Sequence, residues 1–357
     1  MPQTPLHATH ENLGATFTDF GGWEMPLKYG SELEEHRAVR TDVGIFDLSH
    51  MGEITVQGLD AAAFLDYALI SNFTALKDGK AKYSMIVAED GGIIDDLITY
   101  RFSENHFMVV PNAANTNAVW AAFEARKGDF EVQLTNNSEA FALVAVQGPK
   151  SLDVLKPLLS DDASALSYYS SAWMTLDGVE TIVARTGYTG EDGFELFCTR
   201  EDAQKVWDAV IGSGTPCGLA ARDSLRLEAS MPLYGHELTA EITPVEAGMG
   251  RAFAKKEADF VGKDALTGRE PSVVIAGLTS EQRRAAREGA EVFLASSDEK
   301  IGVVTSGQPS PTLGHPVALA HLDPQHAELG TDVEIDIRGR RYPFTIAPTP
   351  FYSREDA

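Results

Sequence analysis

Residues 83–102 read YSMIVAEDGGIIDDLITYRF. Apolar residues recur in the run before Glu89 and again from Ile93 onward, as in strands that bury one face or both. The tetrapeptide Glu89-Asp90-Gly91-Gly92 separates the two runs, and Asp and Gly tolerate the positive φ angles of tight hairpin turns. The stretch therefore predicts a β-hairpin whose second strand runs from Ile93 to Phe102.

Two adjacent acids, Asp95 and Asp96, lie inside the second strand of this hairpin. Successive side chains of a strand point to opposite faces, and both faces are mainly apolar here. At least one carboxylate should therefore be buried, which is costly without a partner. An aspartate near a turn usually caps backbone amides, whereas a carboxylate in a cleft can meet a cationic or N–H-bearing ligand. The pattern alone leaves both interpretations open.

Strands and helices alternate on both sides of the hairpin. Ser31 stands three residues before Glu34, the capping-box spacing that predicts the start of a helix. Asp60 is expected to cap a helix that continues through Leu69. After about Gly268 the chain changes to short apolar runs separated by turn residues. This change predicts a separate small β-barrel or sandwich at the C-terminal end.

Length and charge limit the classes of protein that this chain can belong to. Its 357 residues predict two to three domains, and 29 Lys and Arg against 53 Asp and Glu give a net charge of −24. Such a surface repels nucleic acid and anionic lipid, so neither is expected as a partner. No apolar run reaches the roughly 18 residues of a membrane span. The first residues show no signal-peptide pattern, so a cytoplasmic location is expected.

The cysteines and histidines predict neither a disulfide framework nor a metal site. Cys198 and Cys217 are the only cysteines, and they form no C-x-x-C pair. The nine histidines include no H-E-x-x-H pattern.

A glycine-rich loop, Gly187–Glu195, reads GYTGEDGFE between two predicted strands. It is not a G-x-G-x-x-G motif and no helix follows at once, which argues against a dinucleotide site and a dehydrogenase. A tight connection between strands and a ligand-binding loop are equally compatible with the spacing. Glu195 stands just inside the following strand, where an acid normally needs donors. Its carboxylate would suit the adjacent N–H and amino donors of a pterin or guanine edge, and a solvent-facing glutamate fits the pattern equally well.

The segment Gly218–Ala229 predicts a helix that carries Arg222 and Arg226 one turn apart. Each arginine could pair with a nearby acid or hold an anionic ligand. The pattern does not separate these two roles.

Taken together, the motifs of this chain resemble the T-proteins of the glycine cleavage system, which are tetrahydrofolate-dependent aminomethyltransferases. The resemblance runs from Thr4 to Tyr352 in the order of that family, and the ordered set is specific although no single motif is decisive. The motifs are Asp19–Leu27, Phe46–Glu53, Gly91–Leu97, Gln147–Pro149, Gly187–Glu195, Gly218–Gly235, Thr243–Gly248, and Thr305–Gly307 with Ser310–Gly314.

This resemblance implies an α+β fold, a three-domain cloverleaf with a central folate channel. Two mixed domains of ferredoxin-like type would precede a C-terminal β-barrel. The expected folate-binding domain is discontinuous, with residues 1–50 and 137–268. An inserted α+β domain of residues 51–136 would carry Asp96, and residues 269–357 would form the barrel.

The resemblance also implies a reaction with two substrates. An aminomethyl group on the lipoyl arm of H-protein would meet tetrahydrofolate, ammonia would leave, and 5,10-methylenetetrahydrofolate would form. The family's essential aspartate matches Asp96, which we expect near N5 and N10 of the folate. There it would orient the nucleophile and offset the positive charge that develops. Burial should raise the pKa of Asp96.

The other site residues follow from the same match. Glu195 would receive the N–H edge of the pterin and Arg222 would contact the folate. Asn112, Tyr188 and Tyr83 would line the pocket. Pro111 stands where the family usually has an aliphatic residue, and it removes a backbone donor just before Asn112.

Two further functions are compatible with the same fold. A folate-dependent demethylase that acts on a methylated sulfonium or amine would share the pterin-binding residues but need no lipoyl partner. A non-catalytic folate-binding module, as in proteins that assist iron–sulfur assembly, would carry a cysteine in a glycine-rich motif. The comparable segment here, Gly187–Gly190, contains no cysteine.

Overall fold

The computed structural model describes residues 1–355. The chain forms two compact units. The first comprises Met1–Ile86, Ile94–Arg222 and Lys256–Val261, and the second comprises Val87–Ile93, Asp223–Lys255 and the chain from Gly262 onward. None of the helices in the described part is both long enough and apolar enough to cross a lipid bilayer.

Helices and strands are mixed along the chain. The helices are α1 (His7–Asn12), α2 (Glu32–Thr41), α3 (Ala61–Ala68), α4 (Thr116–Arg126), α5 (Ser151–Leu155), α6 (Ala203–Ile211), α7 (Leu219–Glu228) and α8 (Lys263–Leu266). The strands are β1 (Thr16–Phe20), β2 (Trp23–Lys28), β3 (Gly44–Asp47), β4 (Ile54–Gln57), β5 (Ala81–Val87), β6 (Ile93–Ser103), β7 (His106–Pro111), β8 (Gln133–Asn136), β9 (Phe141–Gln147), β10 (Ser171–Leu176), β11 (Val179–Ala184), β12 (Gly193–Thr199), β13 (Thr215–Pro216), β14 (Val274–Thr279), β15 (Glu291–Leu294), β16 (Lys300–Pro309), β17 (Pro316–Leu322), β18 (Asp332–Asp336) and β19 (Arg341–Ala347).

Two larger sheets carry the side chains that matter for the site. One has six strands in the order β10-β11-β12-β9-β3-β13, and the other has five in the order β5-β6-β7-β4-β8. The six-stranded sheet buries one face against helix α6, where Trp207, Phe194 and Leu196 belong to one apolar core. The five-stranded sheet packs a core of its own that includes Phe64 and Phe123. Each sheet therefore buries one face in an apolar core, and its other face can carry polar side chains.

The C-terminal strands close into a barrel in the order β14-β17-β16-β15-β18-β19. Its interior is filled by alternate strand residues such as Leu278, Val304 and Phe344, all buried. The predicted α+β fold with a C-terminal barrel is thus confirmed, and the alternative of a sandwich is wrong because the first and last strands of the segment, β14 and β19, pair with each other.

Local sequence signals act much as predicted at two of three places. Helix α2 begins after Ser31, whose hydroxyl accepts the Glu34 N–H at 3.4 Å. In the β5–β6 turn, Asp90 accepts the Gly92 N–H at 3.0 Å, and the chain turns with a positive φ of 87° at Gly91. Asp60 does stand at the start of helix α3, but its side chain caps no helical N–H. It accepts the N–H of Glu131 instead, at 2.8 Å.

Segment 256–261 returns to the first unit and is held there by Lys256. The buried ammonium group donates to the backbone carbonyls of Asp66, Leu69 and Ser71, the last two at 2.8 Å. Its charge also lies 4.8 Å from the ring centre of Phe260. A buried lysine with this many acceptors stabilises the turn that follows helix α3.

Candidate active site

Asp95 and Asp96 point to opposite faces of β6, as strand alternation predicts. Asp95 is fully buried, and so are Ile93 and Leu97 on its face. Asp96 is half-buried, like Ile94 beside it. Asp96 therefore retains some exposed surface, whereas Asp95 has none.

Two side chains hold the carboxylate of Asp96. The Tyr83 hydroxyl donates to Oδ2 at 2.9 Å, and the Asn112 amide donates to Oδ1 at 2.9 Å. Burial raises the pKa of Asp96 to about 6, although these two hydrogen bonds favour the charged form and oppose the rise. The pKa of Tyr83 is also raised, first by burial and then by Asp96, so this hydroxyl stays a donor near neutral pH.

The carboxylate of Asp95 is surrounded by amides. It accepts the backbone N–H of Asn112 at 2.9 Å, the Asn112 side chain at 2.9 Å and the Asn115 side chain at 2.7 Å. Burial, followed by the charge of Asp96, raises the pKa of Asp95 to about 7. Capping of a backbone amide, the common role of such an aspartate, thus belongs to Asp95. Sequence reasoning did not find Asn115.

Pro111 does not disturb the placement of Asn112. It is the last residue of β7, where it lies opposite Leu97 of β6, and a proline is tolerated where a ladder ends. Its carbonyl accepts the Gly52 N–H at 3.2 Å. Asn112 then starts the short 3-10 turn Ala113–Asn115, and its side chain reaches back to β6.

Glu195 is buried on strand β12, and the solvent-facing interpretation is therefore wrong. Its neighbours Phe194 and Leu196 point into the core of the six-stranded sheet, so Glu195 faces the other side. Its Oε2 accepts hydroxyl hydrogens from Thr186 at 2.5 Å and from Tyr100 at 3.1 Å. Within residues 1–355, its Oε1 accepts no hydrogen bond, so this oxygen can accept a hydrogen bond from a ligand.

Tyr100 connects Glu195 to the strand that carries Asp96. Tyr100 and Asp96 are four residues apart on the same face of β6, which corresponds to about 13 Å along a strand. Burial, and next the charge of Glu195, raises the pKa of Tyr100, so its hydroxyl remains a donor. In the row Glu195, Tyr100, Asp96 one carboxylate therefore lies at each end, with the Tyr100 side chain between them.

The loop after β11 owes its glycines to a buried amide. A β-carbon at Gly187 or Gly193 would lie 2.1 or 2.4 Å from the side chain of Gln147. That side chain donates to the Thr186 carbonyl at 3.1 Å and accepts the Thr189 hydroxyl at 2.8 Å. Close packing of the loop against β9 therefore explains these glycines. The same contacts hold the backbone on both sides of Tyr188 in place.

The two arginines of helix α7 have different surroundings. The guanidinium of Arg222 lies 4.8 Å from the ring centre of Tyr188. Burial lowers the pKa of Arg222, and the nearby Tyr188 and Glu195 oppose the shift. Arg226 is buried in an ion pair with Glu237 at 2.8 Å. The structure thus gives Arg226 a structural role and leaves Arg222 beside Tyr188.

His50 also belongs to this neighbourhood and was missed by sequence reasoning. It is buried, and its Nδ1 has no hydrogen-bond partner among the described residues. Burial, and then the charge of Arg222, lowers the pKa of His50 to about 4, so the imidazole is neutral near pH 7. Tyr100 and Thr186 were missed too, although each had a signal: Tyr100 shares a face with Asp96, and Thr186 directly precedes the glycine loop.

Comparison with known proteins gives a consistent result over the whole chain. The family model for the GCVT N-terminal domain matches residues 6–257, and that for the glycine cleavage T-protein C-terminal barrel domain matches residues 274–353. An aminomethyltransferase of Corynebacterium aurimucosum is 60% identical, covering 99% of this chain and 98% of the relative. One from Streptomyces coelicolor is 51% identical with the same coverage. The crystal structure of glycine cleavage system aminomethyltransferase T from Bartonella henselae matches with a TM-score of 0.93 and 36% identity, over 99% of this chain and 98% of that one.

Proposed function

Since this chain belongs to the glycine cleavage T-protein family and is an aminomethyltransferase, we propose that its two reactants are tetrahydrofolate and the aminomethylated lipoyl arm of H-protein. Asp96 is the proposed catalytic residue. Glu195, Arg222, Asn112, Tyr188 and Tyr83 are the proposed folate-binding residues. The division into residues 1–50 with 137–268, 51–136 and 269–357 stays a prediction, as does the cytoplasmic location.

The observation that carries this proposal is the pair of carboxylates at the two ends of the Tyr100 row. Glu195 has one oxygen bonded by two hydroxyls and one oxygen that no donor within residues 1–355 reaches. That free oxygen fits the adjacent N–H groups on the pyrimidine edge of a pterin. Asp96 lies at the other end of the row and is partly exposed, as a residue that faces the reactive amine must be.

Asp96 is suited to assist an amine that gains positive charge. When bound, tetrahydrofolate would supply the N5 nucleophile that receives the methylene group. With a pKa of about 6, the Asp96 carboxyl is about nine-tenths ionised at pH 7, yet close enough to pH 7 to exchange a proton. Tyr83 and Asn112 each occupy one of its oxygens, so the carboxylate keeps a fixed orientation.

Arg222 supplies a cation in a chain whose acidic residues outnumber its basic residues. The net charge of −24 means that an anionic or electron-rich part of a ligand needs a placed arginine or lysine. The Arg222 guanidinium lies over the Tyr188 ring and within electrostatic reach of Glu195. We assign to Arg222 and Tyr188 a contact with the folate outside the pyrimidine edge of the pterin, which Glu195 would bind.

The proposal is tested by ammonia release from aminomethylated H-protein in the presence of tetrahydrofolate. Asp96→Asn should lower turnover about 100- to 10,000-fold, the usual range for loss of a proton-transferring group. Exposed Asp129 provides the control, since Asp129→Asn makes the same chemical change away from the site. Full turnover by folded Asp96→Asn would remove Asp96 from the mechanism. Tetrahydrofolate-dependent demethylation of an amine or sulfonium without H-protein would instead support the demethylase alternative.

A further inference from the structure

Tyr169 has a backbone conformation that side chains rarely adopt. Its φ is +59°, in the left-handed region, which costs a non-glycine residue about 1 kcal/mol or more. Two backbone hydrogen bonds hold it there: its N–H donates to the Arg185 carbonyl at 3.0 Å, and its carbonyl accepts the Ala81 N–H at 2.9 Å. Such a conformation persists only where surrounding structure enforces it.

These two anchors place Tyr169 between the two carboxylates of the site. Arg185 immediately precedes Thr186, which bonds Glu195. Ala81 lies two residues before Tyr83, on the same face of β5, and Tyr83 bonds Asp96. The backbone of Tyr169 is thus fastened at one end beside the Glu195 partner and at the other beside the Asp96 partner.

The side chain of Tyr169 is half-buried, and its ring packs edge-on against Tyr168 with ring centres 4.8 Å apart. Burial raises the pKa of Tyr169, and the charges of Glu195 and Asp96 both add to the rise. Its phenol therefore lies within electrostatic reach of both carboxylates and stays protonated. In the part of the chain that the structure describes, this hydroxyl makes no hydrogen bond.

The chemistry of a reduced pterin defines what such a donor can meet. Along the rim of the ring, the C4 carbonyl lies between the N3–H group and N5. If Glu195 takes N3–H and Asp96 faces N5, the group between them faces a carbonyl oxygen. Carboxylates cannot donate to that oxygen when ionised, whereas a protonated phenol can.

We propose that the Tyr169 hydroxyl donates a hydrogen bond to the C4 carbonyl of the bound pterin and so fixes the ring between Glu195 and Asp96. This inference rests on the proposed function and adds a ligand-binding residue to it. Tyr169 would thus bond the C4 carbonyl, which is the acceptor between the two groups that Glu195 and Asp96 face. The strained backbone is explained by the need to point a donor between them.

The test compares Tyr169→Phe with wild type by titration with tetrahydrofolate labelled with ¹³C at C4. Loss of one neutral hydrogen bond should weaken binding about three- to tenfold. The ¹³C signal of the bound carbonyl should also move in the direction of a weaker hydrogen bond. Thermal unfolding without ligand should not change, because the hydroxyl has no hydrogen-bond partner among the described residues. Tyr67→Phe is the matched control, since Tyr67 is also half-buried and its ring packs on Phe130 in a different part of the first unit.

The outcomes separate the two proposals. If wild type binds tetrahydrofolate and Tyr169→Phe shows the same affinity and the same carbonyl signal, the role of Tyr169 is overturned. The proposed function then stays intact. If wild type itself failed to bind tetrahydrofolate, the proposed function would fail and the role of Tyr169 with it. Weaker binding in Tyr169→Phe without a change in the carbonyl signal would also count against the hydrogen bond.

Discussion

The side-chain amide of Asn112 donates to both the carboxylate and the backbone carbonyl of Asp96, at 2.9 and 3.0 Å. The same nitrogen lies 2.9 Å from Oδ1 of Asp95. One amide therefore serves two carboxyl groups that point to opposite faces of a strand. Its bonds to both carboxylates lower their pKa values against the effect of burial.

Removal of the Asn112 amide should raise the pKa of Asp96 above about 6, because a donor to its charged form is lost. In Asn112→Ala, the acid limb of the pH–turnover profile should move to higher pH. Asn115→Ala is the matched control, since the Asn115 amide bonds Asp95 and, in the described part of the chain, makes no bond to Asp96. An acid limb that moves equally in both variants would show that Asn112 does not act on Asp96 directly.

Glu195→Gln should weaken tetrahydrofolate binding about 10- to 150-fold, the value of one charged hydrogen bond. A glutamine keeps one acceptor but replaces the other with a donor, which conflicts with the hydroxyls of Tyr100 and Thr186 or with the ligand N–H groups. Isothermal titration measures the change. Glu180→Gln on neighbouring β11 is exposed and should bind as wild type. An equal loss in both variants would mean that general charge, not the Glu195 contact, governs binding.

Arg222 and Arg226 should respond differently to the same substitution. Arg226→Met leaves the buried carboxylate of Glu237 without its cation, which should cost about 3–5 kcal/mol of the free energy of unfolding. Arg222→Met loses a contact with Tyr188 worth about 1 kcal/mol or less, so it should stay folded and bind folate more weakly. Urea unfolding and ligand titration of both variants check this contrast. Normal folate binding by Arg222→Met would contradict the assignment of Arg222.

The two aspartates should also affect stability as a function of pH. Their pKa values rise from an ordinary 3.8 to about 7 for Asp95 and about 6 for Asp96, so the folded state holds these protons more tightly than the unfolded state. Their contribution is then fully present below about pH 4 and is lost as pH rises through 6 to 7. The loss should be on the order of 2 kcal/mol after solvent screening.

Measurement of unfolding free energy against pH can isolate this contribution. The difference between wild type and the double variant Asp95→Asn, Asp96→Asn should fall between pH 4 and pH 7. A difference that rises over that range would reverse the sign of the pKa shifts.

Short-range patterns predicted a good part of this structure. The turn residues at Asp90 and Gly91 marked the hairpin, Ser31 marked the start of helix α2, and alternation along β6 placed Asp95 and Asp96 on opposite faces. These signals act within a few residues, so the sequence displays them directly. Short-range patterns could not separate a closed barrel from a sandwich, since closure depends on pairing between β14 and β19, which are far apart along the chain.

Other features depended on contacts that no local pattern contains. The i,i+4 spacing of Arg222 and Arg226 could not reveal that Arg226 forms an ion pair with a buried acid, because Glu237 comes from a separate loop. The glycines around Tyr188 could not be assigned to packing until Gln147 was placed beneath them. Tyr169 lies outside regular structure, and nothing in its sequence neighbours indicates a positive φ.

Lys256 has a consequence for how this protein can be dissected. Three carbonyls in the last turn of helix α3 and just after it depend on an ammonium group that is encoded about 190 positions later. An expression fragment that stops at the end of helix α7 would leave those acceptors buried with no donor, although it keeps every proposed folate contact. A fragment meant to keep the proposed folate contacts in a stable fold therefore has to extend through the 256–261 segment, and gene-splitting or fusion experiments should not end the first piece at helix α7.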